Sequence, residues 1–143
     1  MKNFRINEFE CKCGQCSMPS DVQANIEALV NNVLDPVREA YGKPIYVNSG
    51  YRCEKHNKVV GGVPKSQHLV GQAADISLRL TAYGLQDELM KLARIIVQQG
   101  RFDQMIIYPT FLHVSYKRTG ANRHRVLRKT ATGYAVVPHT EAI

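Results

Sequence analysis

Tryptophan is missing from this sequence, and aromatic residues of all kinds make up only 8% of its 143 positions. The stacking platforms that hold single-stranded nucleic acid are therefore not visible, and nucleic acid is not the expected partner. No apolar run approaches the length of a membrane-spanning helix, so no transmembrane segment is expected. Behind the first charges of MKNFRINEFECKCGQC there is no apolar stretch of the kind a secretory leader needs. Synthesis in the cytoplasm is the expectation. Gly61-Gly62 with Pro64 is not followed by GKS or GKT, which makes it a flexible loop and not a phosphate cradle. Internal repeats and low-complexity tracts are absent as well.

The composition that remains, 44% hydrophobic and 22% charged, is that of an ordinary globular chain. Its length suits one domain over residues 1–143, with a loop-rich arm at 1–18 and a basic, β-rich tail at 117–143. The formal net charge is +7. Such a balance either draws the chain toward polyanionic surroundings or serves solubility alone. The RHRVLRK run of the tail adds only charge, and charge-only binding to nucleic acid collapses as salt rises. Cys11, Cys13 and Cys16 crowd into six residues, while Cys53 stands beside Arg52. They either form part of a structural metal site, with Cys53 or a histidine as fourth ligand, or are reduced thiols around a turn at Gly14. Without a second CxxC pair the pattern is weak.

The stretch Ser49 to Ser77 concentrates the chemistry. His68 and Asp75 are seven residues apart, with the small-residue run Gly71-Gln72-Ala73-Ala74 before the aspartate. A neutral imidazole and a carboxylate are good Zn²⁺ ligands, and a catalytic zinc takes three protein ligands plus water. Seven residues is about two helical turns, so the pair cannot share one helical face. Across a loop that runs into a strand they can converge. Alternation in the strand puts Ala73, Asp75 and Ser77 on one face and Ala74, Ile76 and Leu78 on the other. An aspartate there is costly to bury without a cation or donor beside it. The third ligand must come from elsewhere, and His113 in the strand-like Leu112–Tyr116 is the candidate. Arg52 offers a planar, permanently charged fork for a carboxylate or a developing oxyanion; a surface salt bridge is the bland alternative.

Ser66-x-His68-x-x-Gly71-x-Ala73-x-Asp75, preceded by Ser49-Gly50-Tyr51-Arg52 and followed by His113-Val114-Ser115, resembles the signature of the zinc D-Ala-D-Ala carboxypeptidase family. That family also includes phage peptidoglycan endopeptidases. The resemblance runs from about Phe9 to Tyr116. It implies a zinc held by His68, Asp75 and His113, with Arg52 contacting substrate near the scissile bond and Ser66 hydrogen-bonding substrate. Capping the loop around His68 is the other reading of Ser66. The implied activity is hydrolysis of peptidoglycan stem peptides by a phage-encoded or released enzyme; the alternative is a zinc-stabilised module that binds wall peptide without cutting it, and a monomer is expected in either case. One position departs from the pattern. Thr110 stands where many members carry a Glu or His general base. Asp103, Gln104 and Tyr108 are the remaining candidates, and Asp103 is the choice by elimination, or else a residue that fixes a ligand's tautomer.

The remaining segments supply a scaffold. Val22, Ile26, Leu29, Val30, Val33, Leu34 and Val37 recur at helical spacing behind a Ser20-Asp21 start. Pro36 predicts a kink or a restart with Asp35 as cap, and Gly42 a stop. A second helix is expected from Thr81 or Asp87 to about Gln99. Strands are expected at 45–48, 72–78, 105–108, 112–116, 125–129 and 134–137. The order suggests an α+β fold, a small and mostly antiparallel sheet with helices on one side. The resemblance implies the same hedgehog/D-Ala-D-Ala-peptidase type. His56, His124 and His139 are expected to be solvated side chains.

Overall fold

A computed structural model describes residues 1–138; His139 lies outside them. Among the described residues six strands form one sheet: β1 (Tyr46–Ser49), β2 (Ala73–Ser77), β3 (Gln104–Ile107), β4 (Leu112–Ser115), β5 (Arg125–Lys129) and β6 (Tyr134–Val136). Their spatial order is β1-β2-β4-β3-β5-β6, and every pairing is antiparallel except β3 with β5. The expected α+β architecture is present.

The helices are α1 (Ser20–Leu29), α2 (Asp35–Tyr41), α3 (Glu54–Val59) and α4 (Ala82–Gln99). The apolar stripe is buried as its spacing demands, with Ile26, Leu29, Val30 and Leu34 fully enclosed. Pro36 does more than kink this helix. It has no N–H for the carbonyl four residues back, and the turns before it, Val30–Leu34, widen to π geometry, with the Asp35 N–H reaching Val30 O. Asp35 is not a cap. Its buried carboxylate instead accepts from the N–H groups of Lys2 (2.7 Å) and Asn3 (2.9 Å) and pins the N-terminal arm. Ser20 makes no cap either; Pro19 precedes α1 without a side-chain cap bond.

One face of the sheet, with Ala74, Ile76, Met105, Ile107, Leu112, Val114 and Val126, packs with α1, α2 and α4 into the core. Leu89, Leu92, Ala93 and Ile96 form the buried side of α4. Removing one such side chain, as in Leu92→Ala, typically costs about 2–5 kcal/mol. No helix among the described residues is long and apolar enough to cross a membrane.

Since strand side chains alternate, the register fixes the composition of the opposite face. Ser49 pairs with Asp75, Asp75 with His113, His113 with Ile106, Ile106 with Leu127, and Leu127 with Val136. This row crosses all six strands on the side away from the helical core. Gln104 on β3 and Tyr108 just beyond its end flank it, as does Tyr134 on β6. The fold thus gathers Ser49, Asp75 and His113 at one end of this row, continued by the apolar Ile106, Leu127 and Val136, on the surface of the sheet that faces away from the core.

Candidate active site

His68 does not come from the sheet. It sits in a 3-10 turn, Gln67–Val70, whose first N–H groups are capped by Ser66: the His68 N–H donates to Ser66 Oγ at 3.2 Å. Gly71 ends the turn with φ +77, and a Cβ there would lie 2.6 Å from the Val22 carbonyl oxygen. Only glycine lets this loop press against α1 in that conformation. Asn25 on α1 secures it further by donating to Val70 O at 2.8 Å. The backbone of Arg52 is fastened to the same turn through its N–H and His68 O, 3.0 Å apart.

Three expected ligands meet. His68 Nε2 is 3.2 Å and His113 Nδ1 2.9 Å from the same oxygen, Asp75 Oδ1. One donor atom from each residue lies within 4.8 Å of the others. His68 Nδ1 is 2.7 Å from Gly50 O, so that nitrogen carries the proton and Nε2 turns its lone pair toward the cluster. The other carboxylate oxygen, Asp75 Oδ2, accepts from Arg52 Nη2 at 3.2 Å. Arg52 is anchored as well by Ser49 Oγ at 3.1 Å and by Asn57 Oδ1 at 3.3 Å.

Electrostatics favour the liganding forms. Burial works to raise the Asp75 carboxyl, but its close contacts with the imidazoles of His113 and then His68 outweigh it and hold the group well below the usual carboxylate range. Burial lowers His113 against the pull of Asp75, which keeps that imidazole neutral near pH 7. Two imidazoles and one ionised carboxylate, converging on one point, fit a divalent transition-metal ion such as zinc. They form part of a cleft of about 540 Å³, whose walls include Ser66, Gln104, Tyr108 and Tyr134. The phenols of Tyr108 and Tyr134 stand 3.2 Å apart. Burial, then the bond with Tyr134, pushes the Tyr108 phenol up, so it stays protonated at neutral pH.

Asp103 is not in this group. It is fully buried, and its carboxylate accepts from the Arg123 N–H (2.8 Å), from Arg123 Nη2 (2.7 Å) and from Gln67 Nε2 (3.2 Å). Burial opposes ionisation there, but Arg123 prevails and lowers the pKa. These contacts fit an anchor between the His68 turn and the segment leading into β5, not a base exchanging protons with the cleft. Nor does it touch either imidazole: its hydrogen bonds go to Arg123 and Gln67, and the Gly50 carbonyl serves His68. Thr110 is exposed in the β3–β4 turn, its carbonyl accepting from Ser77 Oγ at 2.7 Å. His56 lies on α3 and is half-buried, less open to solvent than expected. His124 is exposed and meets the Phe102 ring edge-on at 6.0 Å.

The family model described as Peptidase M15 matches residues 2–115, a span that takes in all three ligand candidates and ends on β4. The chain belongs to the peptidase M15 family. Peptidases of this family are metallopeptidases, in keeping with the donor set just described. Among curated proteins, none matches the chain. The M15 match stops short of the tail, so Arg123 and Tyr134 are additions to the cleft from outside the matched segment. Sequence reasoning placed Tyr134 on a strand without connecting it to the site. It also passed over Asn57 and the Gly50 carbonyl, for which no side-chain pattern gives a signal.

For this M15 chain, Asp103→Asn separates anchor from base. The substitution turns an amide N–H₂ toward Arg123 donors, a mismatch worth about 2 kcal/mol, or roughly 6 °C in melting temperature. Peptidase turnover should stay within about tenfold of wild type, whereas loss of a general base costs about 10²–10⁴-fold. The pH dependence gives a second readout. A carboxyl with a lowered folded pKa contributes stability above its unfolded value near 3.9, lost as pH falls through the folded one. The variant should lack that part of the acid-side loss.

Proposed function

We propose that this M15 peptidase is a zinc-dependent hydrolase of stem peptides in bacterial peptidoglycan, either a D,D-carboxypeptidase or an endolysin-type endopeptidase. The observation that carries the reading is the convergence of His68 Nε2, Asp75 Oδ1 and His113 Nδ1 in an open cleft. When bound, zinc supplies Lewis acidity toward a carbonyl oxygen and toward water.

The chain's own residues do the rest. Asp75 divides its two oxygens, one toward the imidazole pair and one toward Arg52. Arg52, only 14% exposed at its side chain, presents a fixed cation to a substrate carboxylate or to the oxyanion that forms as water adds. Ser66 Oγ accepts from the His68 N–H, which leaves its own O–H to donate to substrate. Tyr108, kept protonated and paired with Tyr134, is a donor for the oxyanion or for the amine that leaves when the C–N bond breaks. The net charge of +7 suits the anionic polymers of a bacterial wall.

A second reading has its own observation: among the described residues lining the cleft, Asp75 is the only carboxylate. A zinc-stabilised module that holds wall peptide without cutting it needs no further base. Incubation of the zinc-loaded protein with purified peptidoglycan separates the two. New amino termini or released D-Ala, lost on chelation and restored by zinc, are expected of the hydrolase. Retention on the wall with no cleavage across a screen of divalent metals would replace it with the module.

A further inference from the structure

A second cluster of metal-ligating side chains lies outside the His68 cleft. Cys11, Cys13, Cys16 and Cys53 each offer a sulfur, and the four atoms lie within 4.8 Å of one another. None is in a disulfide. Three come from the N-terminal arm, which turns at Gly14 with φ +69; the fourth caps α3 from the far side of β1. The sulfurs of Cys11 and Cys53 are 3.7 Å apart, those of Cys53 and Cys13 3.9 Å, and those of Cys13 and Cys16 3.3 Å. Four thiolates at Zn–S distances of about 2.3 Å in a tetrahedron stand about 3.8 Å from one another. The spacing is that of a ligand cage, not of thiols scattered over a surface.

Sulfurs also receive backbone donors. The N–H groups of Cys53, Gln15 and His56 point at Cys11 Sγ, Cys13 Sγ and Cys53 Sγ, each at 3.4 Å. Three N–H groups turned onto sulfur suit thiolate charge, as the partners of metal-bound ligands do. The cluster joins segments already in close contact: the Tyr51 N–H reaches Phe9 O at 2.8 Å, and a Cβ on Gly50 would lie 2.6 Å from the Phe9 Cα.

We propose that these four cysteines form a structural tetrathiolate site for a zinc-class divalent ion. An all-sulfur tetrahedral set selects zinc or iron, and a closed set of four leaves no position for substrate. The ion would clamp the N-terminal arm to the Gly50–Cys53 segment. That segment supplies the Gly50 carbonyl that orients His68 and the side chain of Arg52, so the clamp acts on the cleft as a positioning device. The site stands on its own distances and does not depend on the peptidase reading.

Cobalt(II) loading of the reduced protein tests it. Wild type and His68→Ala should both show an intense thiolate-to-cobalt charge-transfer band and the strong visible absorption of tetrahedral cobalt. The double variant Cys13→Ser/Cys16→Ser should lose that signature, bind about one metal equivalent fewer than wild type, and melt at lower temperature. Its two changes fall on the less buried cysteines; should it nevertheless not fold, thiol counting on wild type decides. Four thiols protected from alkylation by zinc and released by a chelator are expected. Reduced wild-type protein with no charge-transfer band, or thiols equally reactive with and without zinc, would overturn the proposal.

Discussion

Replacing His68 by alanine is expected to abolish peptide hydrolysis, with a fall of at least about 10³-fold, and to remove one class of bound metal. The magnitude follows from Lewis-acid stabilisation worth several kcal/mol, each 1.36 kcal/mol being about tenfold in rate. His68 is 2% exposed and links three parts of the chain: its Nδ1 meets the Gly50 carbonyl, its Nε2 meets Asp75, and its backbone carbonyl accepts from Arg52. Truncation leaves a cavity and an unpaired carbonyl, so a stability loss of about 2–3 kcal/mol accompanies the loss of activity. It also removes one of the two imidazoles that keep the Asp75 carboxyl low. Circular dichroism and a melting curve establish that the variant is folded, and metal analysis reads the site directly. A folded variant with wild-type hydrolysis would end the mechanism proposed for the cleft.

Much of the arrangement was legible because a β-register carries information across long stretches of chain. Asp75 in an apolar strand asked for a partner of opposite or metal character, and His113 sat in the one strand able to bring an imidazole alongside it. Pairing of β2 with β4 makes those two residues direct neighbours. The apolar stripe from Val22 to Val37 announced its burial equally well. What stayed hidden has physical reasons. Helix α3 is six residues long and capped by a cysteine sulfur, a cap that residue preferences do not anticipate. Asp103 looked like a base because it was the only carboxylate between Glu88 and His113. Its true environment depends on Arg123, twenty positions on, and no local pattern ties the two together. The π turns before Pro36 show a local rule with a longer reach than expected: removing a single N–H rearranges the five residues ahead of it. Tyr134 enters the cleft only because β5 joins the sheet in parallel with β3, which places the β6 hairpin beside the site.

Arg52→Lys and Arg52→Met carry the second large effect. Arginine here uses its geometry as much as its charge: Nε, Nη1 and Nη2 engage Ser49, Asn57 and Asp75 respectively. Lysine keeps the charge but loses the planar fork, and methionine loses both. Loss of one oxyanion donor costs about 10²–10³-fold in kcat, so kcat/KM should drop about 10²-fold for lysine and about 10³-fold for methionine. Metal content should hold, because Asp75 keeps both imidazoles as partners. The division between kcat and KM reveals which group Arg52 serves. If it pairs with a terminal carboxylate, the loss appears mainly in KM, and only for substrates that end at D-Ala. If it stabilises the oxyanion, kcat falls for terminal and internal peptide bonds alike. Paired stem peptides, one with a free D-Ala carboxylate and one amidated, make the comparison in a single assay and distinguish the carboxypeptidase from the endopeptidase. Arg52→Met acting on both peptides at wild-type rate would show that the guanidinium only braces Asp75, and the positive charge beside the cleft would have no part in the chemistry.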